Sequence, residues 1–173
     1  ETVAATDDAD PVATITRDDA DPTSADTVNF SVDFSEDVSN VTADDFTVVT
    51  TGTVTANMTV TVTQVTASTY TITIDTIAGD GTVGLDFNGA TDIVDGVGNA
   101  INTIPSTDEV YTIDRPPLIT ARETVDSDGD GEIDQIRITT DQNLNDNFGD
   151  LNISVAGYSV TGYSTDIAND NIF

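Results

Sequence analysis

The stretch DTVNFSVDF (26–34) decides the fold. Val28, Phe30, Val32 and Phe34 alternate with Asn29, Ser31 and Asp33. Apolar residues two apart lie on one face of a pleated strand and on no single face of a helix. Working outward, the same period recurs. MTVTVTQV (58–65) sets Met58, Val60 and Val62 against threonines, TYTITID (69–75) aligns Tyr70, Ile72 and Ile74, and GTVGLDF (81–87) aligns Val83, Leu85 and Phe87. Thr and Val dominate, and both suit a pleated surface. ADPTSAD, SEDVSN, AGDG and DGVGN punctuate the runs as turns. No helical stripe occurs. The pattern predicts strands at 12–17, 26–34, 46–50, 58–65, 69–75, 81–87 and 108–114. Each has one apolar face, so two sheets must hide those faces against each other. The expected fold is all-β: an immunoglobulin-like β-sandwich of seven or eight strands, followed by a second, incomplete β-sandwich-like module. Burying each Val, Ile or Phe gains roughly 1.5–3 kcal/mol, enough in sum to offset ordering without covalent staples.

None are available. The 173 residues contain no Cys and no His. That removes disulfides, thiolate metal sites, the commonest zinc ligand and the usual general base. Lys is absent too, and the only cations are Arg17, Arg115, Arg122 and Arg137. Schiff-base chemistry and Lys–Asn isopeptide crosslinks are therefore excluded. Serine nucleophiles lack a base and no G-x-S-x-G elbow occurs, so the chain does not read as an enzyme. Paired carboxylates are better explained by metal or turns than by glycoside cleavage. The net charge of −28 repels nucleic acid and anionic lipid and attracts cations. Of 32 acidic residues only five are Glu, at 1, 36, 109, 123 and 132. That bias fits turn chemistry and cation binding more than a uniformly acidic halophile surface. Low hydropathy with high charge can also mean disorder, which the strand periodicity argues against. No run approaches eighteen apolar residues. Glu1 reads as a cut point within a longer protein.

Composition also divides the chain. Residues 1–10 read as an acidic linker and 11–114 as the sandwich. In TIDRPPLITA, Pro116 and Pro117 cannot donate to a ladder, so 115–117 reads as a stiff linker. Residues 118–173 hold about four strand-like runs, too few for a sandwich. Either the second module is cut short, or a neighbouring subunit supplies its missing strands.

Within 11–114, VNFSVDFSEDVSNVTADDFTV (28–48), YTITIDTIAGDGTVGLDF (70–87) and IVDGVGNAI (93–101), closed by YTIDRP, resemble the bacterial immunoglobulin-like repeats of very large secreted or surface proteins. PLITARETVDSDGDGEIDQIRITTDQNLN resembles the opening of a related repeat carrying an inserted acidic loop. The resemblance covers nearly the whole chain through loose motifs. It implies tandem arrays on adhesins, surface layers or extracellular filaments, often stiffened by calcium.

The loop in VDSDGDGEIDQIRIT (125–139) has chemistry of its own. Calcium takes six to eight oxygens at about 2.3–2.6 Å. Asp126, Asp128, Asp130 and Asp134 stand at positions 1, 3, 5 and 9 of a calcium loop. Glu132 stands at position 7, where the backbone carbonyl ligates, and Gly131 at the sharp turn at position 6. Position 12 is Arg137, which cannot ligate, and IDQIRITT (133–140) is strand-like. The helix-loop-helix version is thereby excluded, and a further ligand must be water or another segment, with Glu123 and Asp141 as candidates. Carboxylates about 5 Å apart repel by roughly 3 kcal/mol per pair at an effective dielectric of 20, so a cation is expected. Because the loop follows the Pro-Pro linker, bound Ca²⁺ is expected to stiffen the junction between modules. A second cation site is a weaker expectation, with Asp18, Asp19 and Asp21 meeting Glu36 or Asp37, and Asp114 adding to a junction site.

Sequons at Asn29, Asn40, Asn57 and Asn152 are no more than this composition supplies. GYSVTGYS (157–164) offers two tyrosines, read as sheet packing before sugar stacking. The sequence therefore predicts a non-enzymatic, calcium-stabilised extracellular adhesion or structural repeat, a rigid spacer in a bacterial surface protein. Its expected partners are neighbouring domains, identical subunits, or a host or matrix glycan or protein. A filament or surface-layer subunit assembled by strand complementation is the alternative, and a carbohydrate-binding module the next.

Overall fold

A computed structural model describes residues 8–143 and Gly162. The chain divides after Arg115 into two compact units. The described residues are all-β, relieved by a single turn of 3-10 helix at Ala43–Asp45. In chain order the first unit holds β1 (Val12–Arg17), β2 (Val28–Phe34), β3 (Val38–Ser39), β4 (Phe46–Thr50), β5 (Thr61–Gln64), β6 (Thr69–Ile74), β7 (Gly81–Phe87), β8 (Val94–Asp95), β9 (Asn102–Asp108) and β10 (Tyr111–Ile113). The second unit holds β11 (Ile119–Val125) and β12 (Gln135–Thr140).

Two sheets face each other in the first unit. One has five strands in the order β5-β6-β2-β1-β9, the other three in the order β10-β7-β4. β3 and β8 form a short ribbon of their own. The alternation in 26–34 has the expected effect: Val28, Phe30, Val32 and Phe34 are buried, while Asn29, Ser31 and Asp33 turn outward. Cross-strand register carries the pattern to β6, with Phe30 opposite Ile72 and Val28 opposite Ile74. Ile15, Val48, Val83 and Leu85 join the same core from both sheets. Aromatic rings tie the layers together. Phe30 meets the Tyr111 ring edge-on at 4.9 Å, and Phe34 and Phe87 lie 6.2 Å apart. Aromatic contacts of this kind add about 0.5–1.5 kcal/mol each beyond burial. Tyr111 is fully buried, and its hydroxyl donates to the Asn29 carbonyl at 2.6 Å and accepts the Asp19 amide at 2.8 Å.

Three expectations need correction. The run 108–114 is two elements, because the chain leaves the five-stranded sheet after Asp108 and joins the three-stranded sheet at Tyr111. Residues 102–108, with no apolar alternation and a proline, nonetheless form β9. It is an outer strand, and Pro105 falls where its pairing with β1 is interrupted, so the missing N–H breaks no ladder bond. It is exposed over nearly its whole length, so no hydrophobic period marks it. Met58 is 60% exposed, since β5 starts only at Thr61. In the second unit β11 and β12 pair antiparallel from Ile119↔Thr140 to Val125↔Gln135. The strand expected in DLNISVAGYSV, the tyrosines at 158 and 163, and Asn152 lie outside the described residues.

Candidate metal site

The β11–β12 hairpin is clasped at both ends by aspartates. At the open end the Leu118 amide donates to Asp141 Oδ1 at 2.7 Å, and the Asp141 amide to the Leu118 carbonyl at 3.0 Å. At the tip the Asp134 amide donates to the Val125 carbonyl at 2.9 Å, and Asp134 Oδ2 accepts the Ser127 amide at 2.7 Å. Between these tip contacts the chain folds into a small acidic loop. Asp126 Oδ1 accepts the Gly129 amide at 2.7 Å and its Oδ2 the Gly131 amide at 3.0 Å. Asp128 accepts the Asp130 amide at 3.2 Å, and Asp130 the Glu132 amide at 2.8 Å. Such wrapping needs the backbone to reverse. Gly129 and Gly131 do so at φ +77° and +91°, a region other residues enter at a cost.

Asp126, Asp128 and Asp130 thereby present one carboxylate oxygen each, all within 4.8 Å of one another and all open to solvent. Oxygens around one ion at about 2.3–2.6 Å can stand up to ~5 Å apart, so the group could hold a metal ion. Water screens the repulsion among these exposed carboxylates, and the four amide donors offset more of it. The converging side-chain oxygens do not include those of Asp134. Asp134 serves the tip instead.

Neither candidate for the missing ligand stands ready at the loop. Glu123 lies opposite Arg137 in the hairpin register, with Arg137 Nη1 3.9 Å from its carboxylate. Asp141 is engaged at the hairpin's open end. Position 12 of the loop pattern is thus a cross-strand ion-pair member, which accounts for an arginine there. The loop also lies at the far end of β11 from the Pro-Pro linker, seven residues or about 23 Å along the strand. An ion there would fix the hairpin tip, not the linker.

The second expected cluster does not assemble. Among the described residues no other group of three acidic side chains converges. Asp18, Asp19 and Asp21 follow β1, whereas Glu36 and Asp37 follow β2, and the seven residues of β2 put the two sets at opposite ends of the sheet. Asp19 Oδ2 accepts the Asn29 amide at 3.1 Å. Asp21 pairs with Arg17 at 2.6 Å and accepts the Thr112 amide. Asp114 is exposed, and its amide donates to the Thr23 carbonyl at 3.0 Å.

Two buried aspartates were not singled out by sequence. Asp45 accepts the Thr42 amide at 2.7 Å, the Thr42 hydroxyl at 3.0 Å and the Thr91 hydroxyl at 2.6 Å. Asp95, in DGVGN, gathers the amides of Val97, Gly98 and Asn99 on Oδ1 and the Asn99 side chain on Oδ2. Burial pushes the Asp95 carboxyl up, but the backbone donors of Asn99, Val97 and Gly98 outweigh it and hold it below its ordinary value. The available signal was an Asp followed by two glycines and an Asn, which frees successive amides to point inward.

No family model matches the chain, and no curated protein or solved structure matches it.

Proposed function

We propose that the chain is a non-enzymatic, calcium-stabilised structural repeat of an extracellular bacterial surface protein. It acts as a spacer between neighbouring modules, and its first unit is an immunoglobulin-like sandwich. The convergence of Asp126, Asp128 and Asp130 on a loop shaped by its own amides carries this reading. All-oxygen, all-carboxylate donors suit a hard cation, and an exposed site of this kind binds Ca²⁺ at about 10⁻⁴–10⁻³ M. Such an affinity fills the loop in extracellular fluid and leaves it empty in cytosol. Bound Ca²⁺ would link the carboxylates and stabilise the tip of β11–β12, with Asp134 holding the neck. A surface rich in aspartate, free of thiols and lysines, supports an outer location and a role without catalysis.

The test is calorimetric titration of the intact chain with CaCl₂, repeated with Asp128→Ala and Asp130→Ala. Millimolar or tighter binding in the parent, lost in both variants, supports the reading. Equal heats in all three place any bound calcium elsewhere. A filament or surface-layer subunit is the second reading, favoured by a β11–β12 sheet of only two strands among the described residues. Light scattering with calcium present separates the two: monomers fit a spacer, and regular polymers fit a strand-complemented assembly.

A further inference from the structure

We infer that the outer edge of β5 docks a second copy of this chain, the two β5 strands pairing antiparallel about a two-fold axis at Thr63. The inference concerns the first unit and stands with or without a metal at the hairpin tip. It begins from charge. Charged residues make up 21% of the chain, yet none occurs from Phe46 to Ile74, between Asp45 and Asp75. That run contains β4, β5 and β6. Copies that each carry −28 repel wherever their acidic surfaces meet, so a neutral edge is where two of them can approach. The other outer strands of the first unit are guarded. β4 follows Asp44 and Asp45 directly, β9 carries Pro105 and ends on Asp108, and β10 lies between Glu109 and Asp114. Charge, proline and broken register keep sheet edges apart, and β5 has none of them.

The backbone of β5 is set up to pair. Just beyond its end the Val65 amide donates to the Thr69 carbonyl of β6 at 2.9 Å. Bonding directions alternate along a strand, so Thr61 and Thr63 also face β6, while the N–H and C=O of Val62 and Gln64 face outward. Among the described residues nothing on that side takes them up. With the axis at Thr63, Val62 of each copy stands opposite Gln64 of the other, and each such pair exchanges both backbone bonds. Thr63 then meets Thr63 of the second copy, a favourable cross-strand pair, and Thr61 covers Val65, which is 60% exposed. Beneath the edge lies a cavity of about 590 Å³ lined by Val38, Val41, Ala43, Val62, Gln64 and Tyr70. Pairing brings the second copy's Gln64 beside Val62, over this cavity. Tyr70 is 4% exposed, and its hydroxyl bonds are long, 3.3 Å from Gln64 Nε2 and 3.4 Å to the Val38 carbonyl. A buried hydroxyl held so loosely gains from a closer partner, and the incoming amide is one.

A strand as short as Thr61–Gln64 makes a small contact, so the pair is weak and the test needs concentrated protein. Sedimentation velocity of the full chain in chelator, at protein concentrations up to about 1 mM, is expected to show monomer and dimer and nothing larger, because a two-fold contact closes on itself. Raising NaCl from about 0.1 M to about 1 M shortens the screening length from about 10 Å to about 3 Å and should tighten the dimer at least about threefold. Gln64→Pro removes an outward-facing N–H without touching the β6 ladder, and Thr63→Asp sets two carboxylates opposite each other. Each should weaken the dimer at least about tenfold and leave the melting temperature close to the parent's. Thr63 is exposed, so its variant answers even where Gln64→Pro does not fold. The chain has no Cys, so Thr63→Cys adds a single thiol. With opposed Cα atoms about 4.5 Å apart it should form a disulfide with its copy at least about tenfold faster than Val97→Cys, at a site 67% exposed. A parent that stays monomeric in high salt overturns the inference and leaves the edge to a strand of another protein. Particles larger than a dimer, variants that pair as the parent does, or equal cross-linking rates overturn it too. Because chelator is present throughout, each failure leaves the calcium reading untouched.

Discussion

Two acidic loops occupy the same place in their units. Residues 18–27 join β1 to β2, and residues 126–134 join β11 to β12. Each follows a unit's first strand and leads into an antiparallel partner. Their carboxylates have different employment. In the first loop they reach other elements: Asp19 the start of β2, Asp21 both Arg17 and β10. In the second, among the described residues, Asp126, Asp128 and Asp130 bond to amides of their own loop and turn toward one another. A carboxylate satisfied by distant partners is drawn away from its neighbours, and one satisfied locally is free to converge. Acidity alone does not distinguish the loops. The positions of Gly129 and Gly131 do, because they let the backbone curl round the side chains.

The comparison breaks hardest at a buried carboxylate of the first unit. Asp45 is 3% exposed and has three donors. Asp45→Ala should cost the first unit about 3 kcal/mol, since hydrogen bonds to a charged acceptor are lost and buried donors are left without partners. The loss should be the same in calcium and in chelator by thermal melts of the intact chain. A cost that calcium alters would mean that this carboxylate too serves an ion.

In the second unit the effect should depend wholly on calcium. On the proposed reading, a Kd of about 10⁻⁴–10⁻³ M would let about 10 mM Ca²⁺ stabilise the hairpin unit by roughly 1.4–2.7 kcal/mol. Asp128→Ala together with Asp130→Ala should abolish that gain and leave the melt in chelator close to the parent's. The reciprocal change sharpens the contrast. Asp19→Asn with Asp21→Asn should leave the calcium response intact and cost the first unit no more than about 1 kcal/mol, the scale of a partly exposed ion pair. Loss of the calcium response in that variant would bring the β1–β2 loop back as a cation site.

What could be read from sequence followed where side-chain period and backbone geometry agree. Val28 to Phe34 and Tyr70 to Ile74 declared their strands because burial on one face is written as alternation. So did the acidic loop, whose residue spacing is itself the geometry. β9 was silent because an exposed outer strand has no period, and its side-chain fastening, from Ser106 and from Glu109 just beyond its end, sits in a register no local pattern encodes. The expected cluster of Asp19 with Glu36 failed for a related reason. Sequence shows that both flank strands, but the length of β2 decides that they lie at opposite ends. Arg137 was legible as a residue that cannot ligate. That it faces Glu123 across the hairpin became visible only with the register.

The smallest expected effects concern pH, and they separate aspartates that the fold favours from one it merely tolerates. Asp95 is held below its ordinary value by the amides gathered on it. Its charged form therefore contributes stability above the unfolded-state value near 3.9, and that contribution is lost as pH falls through the lower folded value. Asp108 behaves oppositely. Partial burial, and then the negative charge of Asp86, push its carboxyl up, so the folded state takes up its proton first. Its charge lowers stability at neutral pH, and the penalty fades as pH falls through the raised value toward the unfolded one. Asp95→Asn should thus destabilise the first unit at pH 7 and progressively less in acid. Asp108→Asn should raise the melting temperature slightly at pH 7 and have no effect near pH 3. If both substitutions changed stability in the same direction at pH 7, the amides around Asp95 would not be what distinguishes it.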